Sequence, residues 1–204
     1  MTKKIKYIFI ILFLLFCFIL VSISSYASTV SQDLSNNFFR LHILANSDSE
    51  IDQNLKLKVR DAILEYMNSQ DFSDNSKSEV IDSVETNLDF YKQIAENTIK
   101  DAGFNYPVSI EIGNFYFPTK IYGNISLPAG YYDALRIKIG KAEGQNWWCS
   151  LFPPLCFVDI SSGIIDENSK ETLKQNLSEE EFAIITNNDE TIKLKFKILE
   201  IFSN

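Results

Sequence analysis

The hydrophobic period of this chain changes at Pro107, and that change fixes its class. From Glu50 to Asn68, Ile51, Leu55, Val59, Ala62, Ile63, Tyr66 and Met67 recur at three- and four-residue steps, lining one face of a helix. A second stripe follows through Val80, Ile81, Val84, Leu88, Tyr91, Ile94, Ala95, Thr98, Ile99 and Ala102. After Pro107, Val108, Ile110 and Ile112 alternate with Ser109 and Glu111, and Leu135, Ile137 and Ile139 alternate with Arg136 and Lys138. A period of two belongs to strands with one buried face. The expected fold is α+β: two antiparallel helices packed on a mostly antiparallel sheet, with residues 108–139 as a meander.

Local signals sharpen this. Phe38 to Ala45 is a short apolar run that reads as a buried strand, and Asn46-Ser47-Asp48-Ser49 supplies oxygens that can cap the first helix. Asp48, Glu50 and Asp52 crowd that helix's first turn, and Asp52 can pair with Lys56. Ser76-Lys77-Ser78-Glu79 is a capping box opening the second helix, and Gly103 stands where a helix-ending glycine belongs. Tyr122-Gly123-Asn124 and Pro128-Ala129-Gly130 read as turns. Ile192, Leu194, Phe196 and Ile198 alternate with lysines and suggest a last strand.

The N-terminus sets the compartment. Lys3, Lys4 and Lys6 precede an apolar run from Tyr7 to about Ile23, and Ser25-Tyr26-Ala27 fits a small-x-small cleavage site. Residues 1–27 are therefore a signal peptide or, given the length of the run, an uncleaved membrane anchor. Residues 28–37 read as a polar spacer. The whole chain carries a net charge of −8, and losing three lysines would make the remainder more acidic. That excess excludes nucleic acid as the expected partner.

In an exported protein, Cys149 and Cys156 are the two thiols outside the signal segment. They bracket Pro153-Pro154, which can turn the chain back on itself, so a disulfide is the main reading and two free buried thiols the alternative. Cys17 lies in the apolar run as filler. A Cys149–His42–Asn46 triad can be written down, making a secreted thiol hydrolase the rival reading. Asp48-x-Glu50-x-Asp52 opens like a calcium loop, but Gln53 and Val59 stand where that loop needs glycine and a bidentate acid. No metal, cofactor or small-molecule substrate is expected. A second rival is a wall- or membrane-associated structural module.

Two blocks carry a resemblance. The first runs from Phe39-Arg40-Leu41-His42-Ile43-Leu44-Ala45-Asn46-Ser47-Asp48-Ser49 through Asp52-Gln53 to Leu57-Lys58-Val59-Arg60-Asp61-Ala62. The second comprises Gly113-Asn114-Phe115-Tyr116-Phe117-Pro118-Thr119-Lys120, Leu127-Pro128-Ala129-Gly130, Ala134-Leu135-Arg136 and Gly144 through Asp159. Together they resemble the stage II sporulation protein R family of endospore-forming bacteria over about residues 38–160, leaving 161–204 as a variable C-terminal extension. The resemblance implies a non-enzymatic signalling protein made in the forespore and exported into the space between two membranes. There its partner would be a membrane-embedded aspartic peptidase that cleaves the sigma-E precursor. The family offers no catalytic residue to carry over. Arg40, His42, Asn46, Asn114, Tyr116, Pro118, Trp147 and Trp148 are the candidate partner-binding residues.

Overall fold

The computed structural model of the protein describes residues 3–70, 72, 75–156 and 167–186. The first helix, α1 (Lys3–Asn36), includes an exposed apolar stretch, Ile5–Ser22, long enough to cross a membrane. The stretch 28–37, expected as a spacer, is instead helical as far as Asn36, and Leu34 and Ser35 at its end are buried. The chain then enters β1 (Phe39–Leu44) and α2 (Glu50–Ser69). Ser49 caps α2, its hydroxyl accepting the Asp52 N–H at 3.2 Å.

The expected second helix is divided into α3 (Lys77–Thr86) and α4 (Leu88–Asp101). The break falls at Asn87, whose side-chain amide donates to the Ser83 carbonyl at 2.8 Å and so competes with the backbone ladder. Ser76 and Glu79 form the capping box at the start of α3. Gly103, at φ +85°, ends α4: its N–H bonds to Lys100 O and that of Phe104 to Ile99 O. Tyr66 and Met67 at the end of α2 meet Phe90 and Tyr91 at the start of α4. Asp52, in the first turn of α2, reaches Tyr106 beyond the end of α4, so this pair runs antiparallel. The expected Asp52–Lys56 pair does not form. Lys56 donates instead to Gln53 and to the Gln145 carbonyl, while Asp52 accepts from Asn46 and Ser47.

The remaining elements are β2 (Val108–Phe117), the hairpin of β3 (Lys120–Tyr122) and β4 (Ile125–Leu127), β5 (Gly130–Ile139), β6 (Asn146–Phe152), α5 (Glu167–Asn176) and α6 (Glu179–Thr186). The main sheet has the order β2-β5-β1-β6. β2 and β5 are antiparallel over ten residue pairs, as the alternation predicts. The expected meander over 108–139 is corrected, because β3 and β4 pair with each other in a separate two-stranded sheet; β1 lies between β5 and β6, parallel to the former and antiparallel to the latter. Both edges of β1 are therefore paired, and Phe39 to Ile43 are all buried.

Register assigns the faces, since paired residues point the same way. Leu41, Ile43, Leu135, Ile137, Ile139 and Val108 share the face on which α2 and α4 pack. Arg40, His42, Tyr132, Arg136, Phe115 and Trp148 share the other, which the β3–β4 hairpin partly covers through Tyr122. In the extension, Leu173, Leu177 and Ile185 are buried and α6 packs on β4. The suggested strand at 192–198 lies outside the described residues.

Candidate functional site

Both tryptophans stand on β6, an edge strand, and alternation sends them to opposite faces. On the helix side, Trp147 lies beneath Arg60 of α2, whose guanidinium carbon is 4.3 Å from the ring centroid. On the other side, Trp148 stacks on His42 at 3.7 Å with the planes 15° apart, and meets Phe117 edge-on at 4.7 Å. Lys120 reaches over the same indole at 5.8 Å.

After β6 the chain turns through a cis Phe152–Pro153 peptide and folds back along the strand it has just left. The N–H of Leu155 bonds to the carbonyl of Ser150 at 3.0 Å, and Cys149 and Cys156 join in a disulfide with Cα atoms 5.1 Å apart. The loop therefore covers part of the outer edge of its own strand, which would otherwise present unpaired backbone groups.

Behind this edge lies Arg40, fully buried. Its guanidinium sits 4.2 Å from the centroid of Phe117 and 4.9 Å from that of Tyr132. Nη2 donates to the Tyr122 hydroxyl at 2.6 Å and Nε to the Cys149 carbonyl at 3.4 Å, while Nη1 has no hydrogen-bond partner. Tyr122 in turn donates to the Trp148 carbonyl at 3.2 Å. Burial raises the pKa values of Tyr122 and Tyr132 against the opposing pull of the Arg40 charge.

His42 is 6% exposed and neither ring nitrogen makes a hydrogen bond of acceptable geometry. Burial lowers its pKa to about 4; the nearby Asn146 side chain opposes this, and the charges of Arg136, Arg40 and Lys138 add to it. His42 is thus neutral at physiological pH. Further along this face, Arg136 and Lys138 both bind Glu111, at 2.8 Å each, and hold its carboxyl below the usual range.

The structure brings Arg40, His42 and Trp148 together and scatters the other candidates. Asn46 is a buttress: its amide donates to Asp52 at 2.8 Å and its carbonyl oxygen accepts the Lys141 N–H at 3.0 Å. Gly140 allows that approach, since a Cβ there would lie 2.2 Å from the Asn46 side-chain oxygen. Asn114 is exposed on β2 and donates to Asp133, which also pairs with Lys77 at 2.7 Å. Tyr116 packs edge-on against Tyr131, and Pro118 is half-buried in the turn before β3. The Cys149–His42–Asn46 triad is not assembled. Cys149 is oxidised and, opposite Leu41 in register, points away from the His42 face.

Phe117, Lys120, Tyr122 and Tyr132 also stand in this cluster, although they are not among the eight candidates. The aromatic alternation of Phe115 and Phe117 and a tyrosine just before the Gly123-Asn124 turn are the signals that point to them. Between β3 and β6 a pocket of about 190 Å³ opens, lined by Lys120, Ile121, Tyr122, Trp148 and the disulfide among others.

No solved structure matches the chain. A stage II sporulation protein R from Bacillus subtilis (strain 168) is 37% identical over 180 residues, covering 85% of this chain and 80% of that protein. The family model for stage II sporulation protein R matches residues 35–162, from the buried end of α1 past the disulfide loop. The chain belongs to the stage II sporulation protein R family, whose members signal during sporulation.

Proposed function

We propose that this protein is an exported, non-enzymatic signal that acts between the compartments of a sporulating cell. It is made in the forespore, crosses the forespore membrane by its N-terminal segment, and contacts a membrane-embedded aspartic peptidase. That contact triggers cleavage of the sigma-E precursor. The observation that carries this reading is a disulfide-stapled body behind an apolar helix, in a chain of this family. Disulfides persist in oxidising compartments outside the cytosol, which supports export. Residues 38–160 would be the signalling body, 161–204 an extension, and residues 1–27 either a leader removed after Ala27 or a retained tether.

Co-expression of the full chain with the peptidase and the precursor tests this. Precursor cleavage is expected with the full chain and not with a form lacking residues 1–27, which stays in the cytosol. Equal cleavage with and without the full chain would overturn the proposal. Immunoblotting of the precursor reads the outcome.

A further inference from the structure

Cys149 and Cys156 share a bridge but not a setting. Cys149 stands inside β6, opposite Leu41 of β1 in the ladder, and is 1% exposed. Arg40 Nε donates to its carbonyl at 3.4 Å. Its backbone is thus held from the β1 side whether or not its sulfur is bridged. Cys156 is half-buried and lies in the turn that follows β6. The bridge fastens it to the strand, as does the Leu155 N–H bond to the Ser150 carbonyl, and its own Sγ lies 3.0 Å from that carbonyl. One sulfur belongs to the sheet and the other to a short return loop.

This asymmetry bears on thiol–disulfide exchange, whose rate depends on which sulfur an external partner can reach. Burial keeps a thiol protonated and shielded, and so slow to react. The loop sulfur is therefore the one that an external reagent meets first, and the strand sulfur is the one held in wait beside it.

We propose that the pair is a two-step exchange site, in which Cys156 reacts with an external disulfide and Cys149 resolves the adduct. The Cys156 thiolate attacks one sulfur of the external disulfide RSSR, forming Cys156–S–S–R and releasing RS−. The Cys149 thiolate then attacks Cys156 Sγ, forming the bridge and releasing the second RS−. Two protein thiols are oxidised, the external disulfide is reduced to two thiols, and the cysteine protons end on the released thiolates. The Cα atoms, 5.1 Å apart, lie within the roughly 4.4–6.8 Å that a bridge needs. The Ser150 carbonyl marks where the S–H of reduced Cys156 can dock before closure. That closure follows export rests on the signalling reading above, since cytosolic pools keep thiols reduced; the order of exchange does not. Closing the bridge ties residues 153–156 along the outer edge of β6, so the covered edge becomes a property of the exported chain.

The full chain in detergent micelles is reduced with dithiothreitol, desalted and labelled briefly with N-ethylmaleimide, and peptide mapping reads each cysteine apart from Cys17. Cys156 is expected to label at least about tenfold faster than Cys149. Reduced chain given oxidised glutathione should close its bridge and keep no adduct. Cys149→Ser should accumulate one glutathione at Cys156, whereas Cys156→Ser should take it up at Cys149 at least about tenfold more slowly. Equal labelling in the unaltered chain, or faster labelling of Cys149, overturns the proposal whatever the variants do.

A second arm follows the full chain in expressing cells converted to spheroplasts, its thiols trapped by acid and then alkylated. It is expected as free thiols while protected from external protease and as the bridge once accessible to it. A chain that is bridged but protected overturns the timing. A chain that never becomes accessible counts against the export reading, and the labelling rates still decide the order of exchange.

Discussion

His42 titrates inside a wall of aromatic rings. Its pKa is about 4 in the fold against an ordinary 6.5, so between those values the unfolded chain binds more protons than the folded one. Stability from this residue is therefore complete above pH 6.5 and drains away as pH falls toward 4. The shift corresponds to a loss on the order of 3 kcal/mol. Urea midpoints of the full chain and of His42→Phe, measured from pH 7 to pH 4.5, should diverge, the variant falling less; parallel curves would refute this. Arg40 gives a second prediction. Arg40→Ala should cost about 3 kcal/mol through lost packing and stranded acceptors, while Arg40→Met, which keeps the volume without the charge, should cost less than about 1.5 kcal/mol. Denaturant unfolding separates the two. At this scale the sequence is legible for the concentration of Trp147, Trp148, Cys149 and Cys156. It is opaque for the surroundings of Arg40, because Phe117, Tyr122 and Tyr132 come from strands far along the chain.

The elements divide in the same way. Helices α2, α3 and α4 follow from local rules: the periodicity is dense, Ser49 and the Ser76–Glu79 box start them, and Gly103 stops the last. The break at Asn87 escapes a reading of apolar positions because it is made by a polar side chain bonding to its own backbone. The insertion of β1 between β5 and β6 is not readable from its neighbours, since pairing partners about 95–110 residues away are chosen by three-dimensional packing. The stapled loop after β6 makes its own prediction. Its short closure should contribute about 2–3 kcal/mol, so the paired replacement Cys149→Ser with Cys156→Ser should lower the denaturant midpoint accordingly. The same change should redden tryptophan emission, because the loop that lies along β6 is freed. An unchanged spectrum would mean that backbone contacts such as Leu155 N–H to Ser150 O hold the loop without the bridge.

For the whole molecule, the two ends of α1 belong to different environments. Ile5–Ser22 is apolar and exposed, while Leu34 is fully buried where α1 meets the sheet. Asn37 bonds to Glu181 of α6 at 3.0 Å, and Lys77 of α3 reaches the Ser35 carbonyl, so the helix end is gripped by three other parts of the fold. Leu34→Asp should therefore destabilise the body by more than about 3 kcal/mol, an effect that a spacer lying outside the fold would not show. Thermal unfolding of the full chain tests this directly. Where residues 1–27 are retained, a further consequence follows. Helical rise sets a standoff of roughly 18 Å between the bilayer edge and the body, and each residue added or removed turns the body by about 100° around the membrane normal. The helix then acts as a mast that fixes both height and heading, so length changes within it should alter signalling with a helical rather than a gradual dependence.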